Sequence, residues 1–393
     1  MITKTKRIES IDMLRGVVMV IMALDHVRDY FHIGSFFIDP TNIDTTTPAL
    51  FFTRFITHYC APVFVFLAGT SAFLYGSNKT KPELFKFLFT RGIWLILLEI
   101  VVNNLIWTFD LSWSIQIFQV IWAIGVSMVC LSFLIYLPKK LILLVGIILV
   151  AGHNALDRIV MQGQSVSDIL WYVLHQQNVL VVNPNHLILI QYPLLPWIGV
   201  MALGYVFGTL YHRDFEAGIR KKWLLILGIS ALIVFFSLRM LNVYGDLVPW
   251  TNQDTVTKTV LSFFNVTKYP PSLLFICITL GPALLFLYVF ENTKNKLTDF
   301  FLVFGRVPLF YYFFHVLVIH ILAIIGMLIF GGNVQDMILT ADGFKNASLV
   351  SYGYSLWVVY LVWIGVVLLL YPFSKKYMKY KAANKDKWWL SYL

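Results

Sequence analysis

Charge is what this chain has least of. Of its 393 residues, 13% are Asp, Glu, Lys or Arg, against 59% hydrophobic. A soluble domain carries about 25% charged residues, so there is too little polar surface here to cover one large soluble core. Cysteine is scarce too. Cys60, Cys130 and Cys277 stand in apolar runs without ligand-like spacing. That excludes a disulfide framework and fits packing residues. No Gly-rich phosphate loop, Ser-nucleophile elbow or paired-His zinc motif occurs. No metal is expected, and no repeat of fixed period is apparent. A cleavable leader of the usual form is not expected either. The basic start (Lys4, Lys6, Arg7) precedes an apolar run that Asp12, Arg15 and Asp25 interrupt, and no small-residue cleavage site follows.

What the chain does have is long apolar runs, spaced by roughly the 20 residues that span a bilayer core. They predict ten helices, near 12–32, 50–76, 84–108, 113–136, 139–155, 190–211, 221–241, 270–290, 305–330 and 350–374. The expected fold is all-α, a polytopic integral membrane bundle. Residues 1–375 form one membrane domain and 376–393 a basic, aromatic cytoplasmic tail, whose Trp388, Trp389 and Tyr392 suit interfacial anchoring. Between the fifth and sixth spans, SDILWYVL reads as an amphipathic interfacial helix. With a cytoplasmic N-terminus, all but seven of the 30 basic residues fall in inside segments. The exceptions are Arg28, Arg54, Arg158, Arg239, Lys258, Lys268 and Lys345. Every inside loop is basic, as the positive-inside rule requires, so both termini are expected in the cytoplasm. The net charge of +10 therefore reflects membrane topology and not nucleic-acid binding.

Ionisable groups inside spans cost roughly 3 kcal/mol or more at the bilayer centre, so they are paired or functional. Arg15 and His26 are eleven residues apart. On a helix that is about three turns, a rise of about 16 Å, and the same face. Asp25, Arg28 and Asp29 surround His26, with Asp29 at i+3. Two readings stand: an ion-pair cluster with a polar helix end, or a general base oriented by Asp25 or Asp29. In the second span Arg54 and His58 are i, i+4 and share a face, and Pro62 is placed to kink the helix. Gly69 with Ser71 suits close packing. His58 is a second candidate imidazole, for catalysis or a bundle contact. Glu99 and Asn103 in the third span need a partner or a wet cavity. They fit pairing with a basic group or acceptor binding. In the ninth span, His315 lies mid-span one turn from Tyr311, with His320 deeper. Gly199, Gly204 and Gly208 suit tight helix packing, and the outer loop NPNH at 183–186 reads as a turn.

RIESIDMLRGVVMVIMALDHVRDYF, PVFVFLAGTSAFLYG, YPLLPWIGVMALGYVFG and FGRVPLFYYFFHVLVIH occur in that order from about residue 7 to 380. Together they resemble bacterial membrane proteins of the heparan-α-glucosaminide N-acetyltransferase-like group. The Arg15-x10-His26 spacing also resembles the signature of the wider acyltransferase-three membrane family. The resemblance implies an enzyme that takes an acyl group from cytoplasmic acetyl-CoA or another acyl-CoA. It would pass the group to an amine or hydroxyl of an extracytoplasmic sugar or glycolipid, with a histidine at the centre. Carried onto this chain, it puts Arg15 on the donor side and His26 at the reaction centre. One departure stands out. The lysosomal members carry the catalytic histidine between the first two spans, whereas residues 33–49 here contain none. The role passes to His26 or His58, with Asp25 and Asp29 beside them. On this reading Arg15, Arg91 and Arg306 (Lys222 being a further candidate) meet the coenzyme phosphates. Arg54, Glu99, Asn103 and His315 line the acceptor side. Expected partners are acyl-CoA, a sugar or glycolipid acceptor, the bilayer and a second copy in a homodimer, with no nucleic acid. The expected location is a bacterial inner membrane. The competing reading is a proton-coupled transporter or flippase, since intramembrane Asp, Glu and His can relay protons. The absence of a visible inverted repeat argues against it.

Overall fold

The structure, a computed structural model, describes residues 8–342 and 347–391. Of the sequence expectations, Lys4, Lys6, Arg7, Lys345, Tyr392 and the Trp388 side chain lie outside the described residues.

α1 (Glu9–Phe31) is followed by α2 (Pro48–Thr57) and α3 (Cys60–Gly76). α4 (Lys81–Leu97) continues through a wider π-helical turn at Leu98–Asn103 into α5 (Asn104–Thr108). Strand β1 (Ile115–Phe118) leads into α6 (Val120–Leu134), α7 (Lys139–Gly152) and α8 (Val166–Leu174). Strands β2 (Asn178–Asn183) and β3 (His186–Ile190) precede α9 (Leu194–Phe207) and α10 (Ala217–Leu241). The remaining helices are α11 (Val256–Phe264), α12 (Leu273–Phe290), α13 (Lys296–Arg306), α14 (Pro308–Phe330), α15 (Ala347–Ser351) and α16 (Leu356–Ala383).

Seven of the ten expected spans are long and apolar enough to cross a membrane: Pro48–Gly76, Lys139–Leu156, Leu194–Tyr211, Ala217–Leu241, Leu273–Phe290, Pro308–Phe330 and Leu356–Ala383. The other three are α1, with its charges, the interrupted α4–α5 rod, and α6. The expected helix at 113–136 needs correction, because it starts only at Val120. Residues 115–118 instead pair in parallel with β3, in a sheet of order β1-β3-β2. The fold is therefore helical with one small sheet. α16 runs unbroken past Lys375, so the basic residues there ride on its last turns.

Local chemistry sets the ends. Thr80 and Glu83 form a reciprocal cap on α4, as do Ser165 and Asp168 on α8. The second span breaks at His58–Tyr59, one turn before Pro62. A proline ring collides with the carbonyl four residues back, which here belongs to His58.

α1 is the central helix, packed on α2, α3, α12, α13, α14 and α16 and buried along most of its length. This is why a charged helix is tolerated, since its polar groups face protein and not lipid. Its tightest neighbour is α13. A Cβ at Gly16 would fall 1.9 Å from the Phe301 carbonyl oxygen, and one at Gly305 1.7 Å from that of Asp12. Residues such as Leu227, Ile233, Leu361 and Leu368 on α10 and α16 face outward, as lipid contact demands.

The connections gather at two ends. At one, Glu9 pairs with Lys294, Arg220 with Glu291, and Lys81 bonds the Tyr136 carbonyl. At the other, the Thr108 carbonyl accepts from Leu339 N, Ser114 O from Leu187 N, and Thr41 O from Asn265 Nδ2. The first is the basic end and is called the inner end below. The second carries the sheet and the long loops and is called the outer end.

Candidate active site

His26, five residues before the outer end of α1, lies against α14. Its Nδ1 is 2.8 Å from His315 Nε2, and the rings stack at 4.9 Å with 14° between planes. The proton positions follow from the next contact. His315 Nδ1 is 2.8 Å from the Tyr311 carbonyl oxygen, an acceptor only, so Nδ1 carries the proton. In a neutral imidazole Nε2 is then an acceptor, so the proton between the two rings sits on His26 Nδ1. His26 Nε2 is left with its lone pair and makes no hydrogen bond among the described residues. Trp107 meets the His26 ring edge-on at 4.8 Å and Tyr312 at 6.1 Å.

Around this pair several buried polar atoms have no partner of acceptable geometry: Trp107 Nε1, Tyr312 Oη, Tyr311 Oη and Asn103 Oδ1. Tyr312 lies toward Trp107 and Asn103. Trp107 Nε1 and Tyr312 Oη are thus buried donors held only loosely, by one another and by Asn103, beside a free imidazole nitrogen.

Asp25 and Asp29 do not hold the imidazole, contrary to the expectation. Asp25 takes both of its oxygens to Arg54 Nη1 (2.8 and 2.6 Å), with Thr57 Oγ1 at 2.8 Å and Arg28 Nη2 at 2.9 Å. Asp29 pairs with Arg28. The reason is angular. Successive helical residues diverge by about 100°, so Asp25 faces α2 while His26 faces α14. The break before Pro62 also separates Arg54 from His58. Arg54 reaches α1, while the His58 ring packs on Phe275 of α12 at 5.2 Å and its Nδ1 is buried without a partner.

Glu99 finds no basic partner among the described residues. Its Oε1 accepts from Asn103 Nδ2 (2.7 Å) and its Oε2 from Trp122 N (3.0 Å). It thus sits at the N-terminus of α6, where the helix dipole and free N–H groups favour a carboxylate. Asn104 clamps β1 from the next position, its Oδ1 accepting from Ile117 N at 2.6 Å. His320 is a packing residue whose two ring nitrogens face the carbonyls of Ile106 and Met337.

Arg15 and His26 do share a face, and both meet the α13–α14 arm. Arg15 bonds the Gly305 carbonyl (3.2 Å), Asp12 (2.9 Å) and Ser71 Oγ (3.1 Å). Arg306 lies near Glu9 and Asp12 at 3.6 and 3.7 Å. Arg91 stacks on Phe87 of its own helix, and Lys222 is exposed on α10. A cleft of about 460 Å³ opens at the inner end between Phe73, Lys139, Tyr205 and His212, and His26 is not among its lining residues. The NPNH segment is the β2–β3 turn, tied by Asn183 to Asn185 N and His186.

Sequence reasoning missed Trp107 and Tyr312 as site residues, and with them Lys268, Tyr269, Tyr192 and Gln191. Lys268 stacks on Tyr269 (5.2 Å), Gln191 reaches the Tyr269 hydroxyl (3.3 Å), and Tyr192 packs on the Tyr269 ring (5.2 Å). The Lys268 charge acts on Asp25, His26 and His58. A lysine next to aromatic and proline residues in an outer loop was the available signal.

A helical bundle with a buried imidazole pair and loosely held donors, enclosed by long apolar helices, defines an integral membrane protein with an enclosed polar site. Its residues 7–245 match the sequence model described as heparan-alpha-glucosaminide N-acetyltransferase, catalytic, more than half the chain, and the protein belongs to that family. The match contains α1, with His26, and ends before α14, which supplies His315. Among curated proteins none matches the chain. Membership implies an acetyltransferase activity at a membrane.

Proposed function

We propose that the protein transfers an acetyl or other acyl group from cytoplasmic acyl-CoA to an amine or hydroxyl of an extracytoplasmic sugar or glycolipid, with His26 as the general base. The observation that carries this reading is the His26–His315 contact, which leaves Nε2 of His26 as a free lone pair beside loosely held donors.

Ten crossings with both termini inside, in a bacterial inner membrane, agree with the basic inner end. The anionic end of the donor meets that basic face, where Arg15 and Arg306 share Asp12 and Lys139 lines the cleft, with Arg91 on α4 a further cation. Because Arg15 and Arg306 are held by Glu9 and Asp12, phosphate binding exchanges one anionic partner for another. The pantetheine arm then runs along α1 over the rise of about 16 Å from Arg15 to His26. The acceptor enters from the outer end, among Arg54, Lys268, Tyr269 and Gln191. Nε2 of His26 takes the proton of the attacking N–H or O–H. Trp107 Nε1 and Tyr312 Oη donate to the oxyanion that forms on the acyl carbonyl, worth about 3 kcal/mol per donor in such sites. The thiolate of CoA leaves and is protonated from His26. Asn103 and Glu99 support that wall and His315 holds the base, while His58 stands aside from the proton path.

The test uses purified protein with radiolabelled acetyl-CoA and glucosamine-containing acceptors. Transfer by the wild type, and transfer slowed by about 10²-fold or more in a folded His26→Ala variant, is expected. Full activity in that variant sinks the assignment. Uptake into proteoliposomes without any transfer selects a transporter instead.

A further inference from the structure

We propose that His153, Asp157 and His175 bind a Zn²⁺-class divalent transition metal at the outer end of the bundle. His153 and Asp157 lie in the tight turn that follows α7, one helical turn apart, and His175 caps the end of α8. One ligand-type atom from each residue falls within 4.8 Å of the others. His175 Nε2 and Asp157 Oδ1 are 3.1 Å apart. Two donors on a tetrahedral zinc with bonds of 2.0–2.1 Å sit about 3.3 Å apart, so this pair already has the spacing. His153 has to close in by a side-chain rotation.

A second, independent observation points to a ligand. Both histidines are only 3% exposed, yet both ring nitrogens of His153 and Nδ1 of His175 have no hydrogen-bond partner of acceptable geometry among the described residues. The His153 imidazole, buried with a lone pair that no side chain uses and set beside the His175–Asp157 pair, is a group that a metal bound to all three would satisfy.

The donor set selects the metal. Two imidazoles and one carboxylate suit zinc and its neighbours, whereas calcium and magnesium take oxygen cages. A supporting layer is present as well. Asn154 Nδ2 bonds the other oxygen of Asp157 at 2.8 Å, and the Pro271 carbonyl lies beside the His153 ring.

The site would work as a clamp. It joins the end of α7 to α8, and Asn154 Oδ1 accepts from Leu273 N in the first turn of α12 at 2.9 Å. The segment it fixes leads through β2 and β3 to Gln191 and Tyr192 at the proposed acceptor entrance.

The full chain, purified without a polyhistidine tag and stripped with chelator, is titrated with Co²⁺ and then Zn²⁺. Expected are visible d–d bands of a tetrahedral site, lost on adding Zn²⁺, and one zinc per chain by mass spectrometry after gel filtration. Zinc should raise the unfolding midpoint of the wild type and not that of His175→Gln. The absence of Co²⁺ bands and of retained zinc in folded wild type overturns the proposal without needing any variant. Undiminished binding by both His153→Gln and His175→Gln overturns it too.

Discussion

The His26–His315 contact yields the sharpest prediction. Replacing His315 with Ala removes the acceptor of the 2.8 Å bond from His26 Nδ1. The His26 ring then has no partner to fix its orientation or its tautomer. Leaving one buried donor unsatisfied costs about 1–3 kcal/mol. If that cost falls on the competent arrangement of the base, transfer slows about 5- to 150-fold. Loss of the base itself in His26→Ala is larger, about 10²–10⁴-fold. His315→Gln retains an acceptor oxygen and should fall between wild type and His315→Ala. The assay is acetyl transfer from labelled acetyl-CoA by purified protein, with kcat and KM separated. A positioning role lowers kcat with the acceptor KM little changed. A folded His315→Ala enzyme working within about twofold of wild type would falsify the reasoning, since no interaction worth 1 kcal/mol would then have been lost.

Arg54→Ala leaves Asp25 with Arg28 and Thr57, and should lower stability by about 3 kcal/mol, the low end for breaking a buried pair. An unchanged midpoint of thermal unfolding in detergent would contradict the cluster. Gly305→Val drives a side chain into the Asp12 carbonyl, so the α1–α13 seam must open at a cost of about 3 kcal/mol or more. The variant should elute as aggregate in gel filtration, whereas Gly365→Ala, with nothing within 4 Å of its added carbon, should elute like wild type. Glu99→Ala removes the acceptor for Trp122 N and Asn103 and should cost about 1–3 kcal/mol. Glu99→Gln, which keeps one carbonyl oxygen, should cost less. Equal losses in the two would argue against a cap on α6.

Much of the fold was legible because apolar run length and helical period are local properties. The runs placed the helices, and Pro62 placed the break. Eleven residues put Arg15 and His26 on one face of α1, where both indeed meet the α13–α14 arm. The strand at Ile115–Phe118 was not legible. Its partner, β3, is some 70 residues away, and a short apolar stretch before a helix reads as helix.

The sequence by itself determined that this is a membrane bundle, which end is basic, and which few ionisable residues stand inside it. What it could not decide is who touches whom. Asp25 sits beside His26 in the chain, yet the 100° step between helical neighbours turns it to Arg54. His315, 289 residues away, becomes the imidazole's partner. His153 and His175 form no zinc motif as spaced, and meet only because a tight turn and α8 fold one onto the other. Spacing along a helix fixes a face, but the packing of distant helices decides what that face meets.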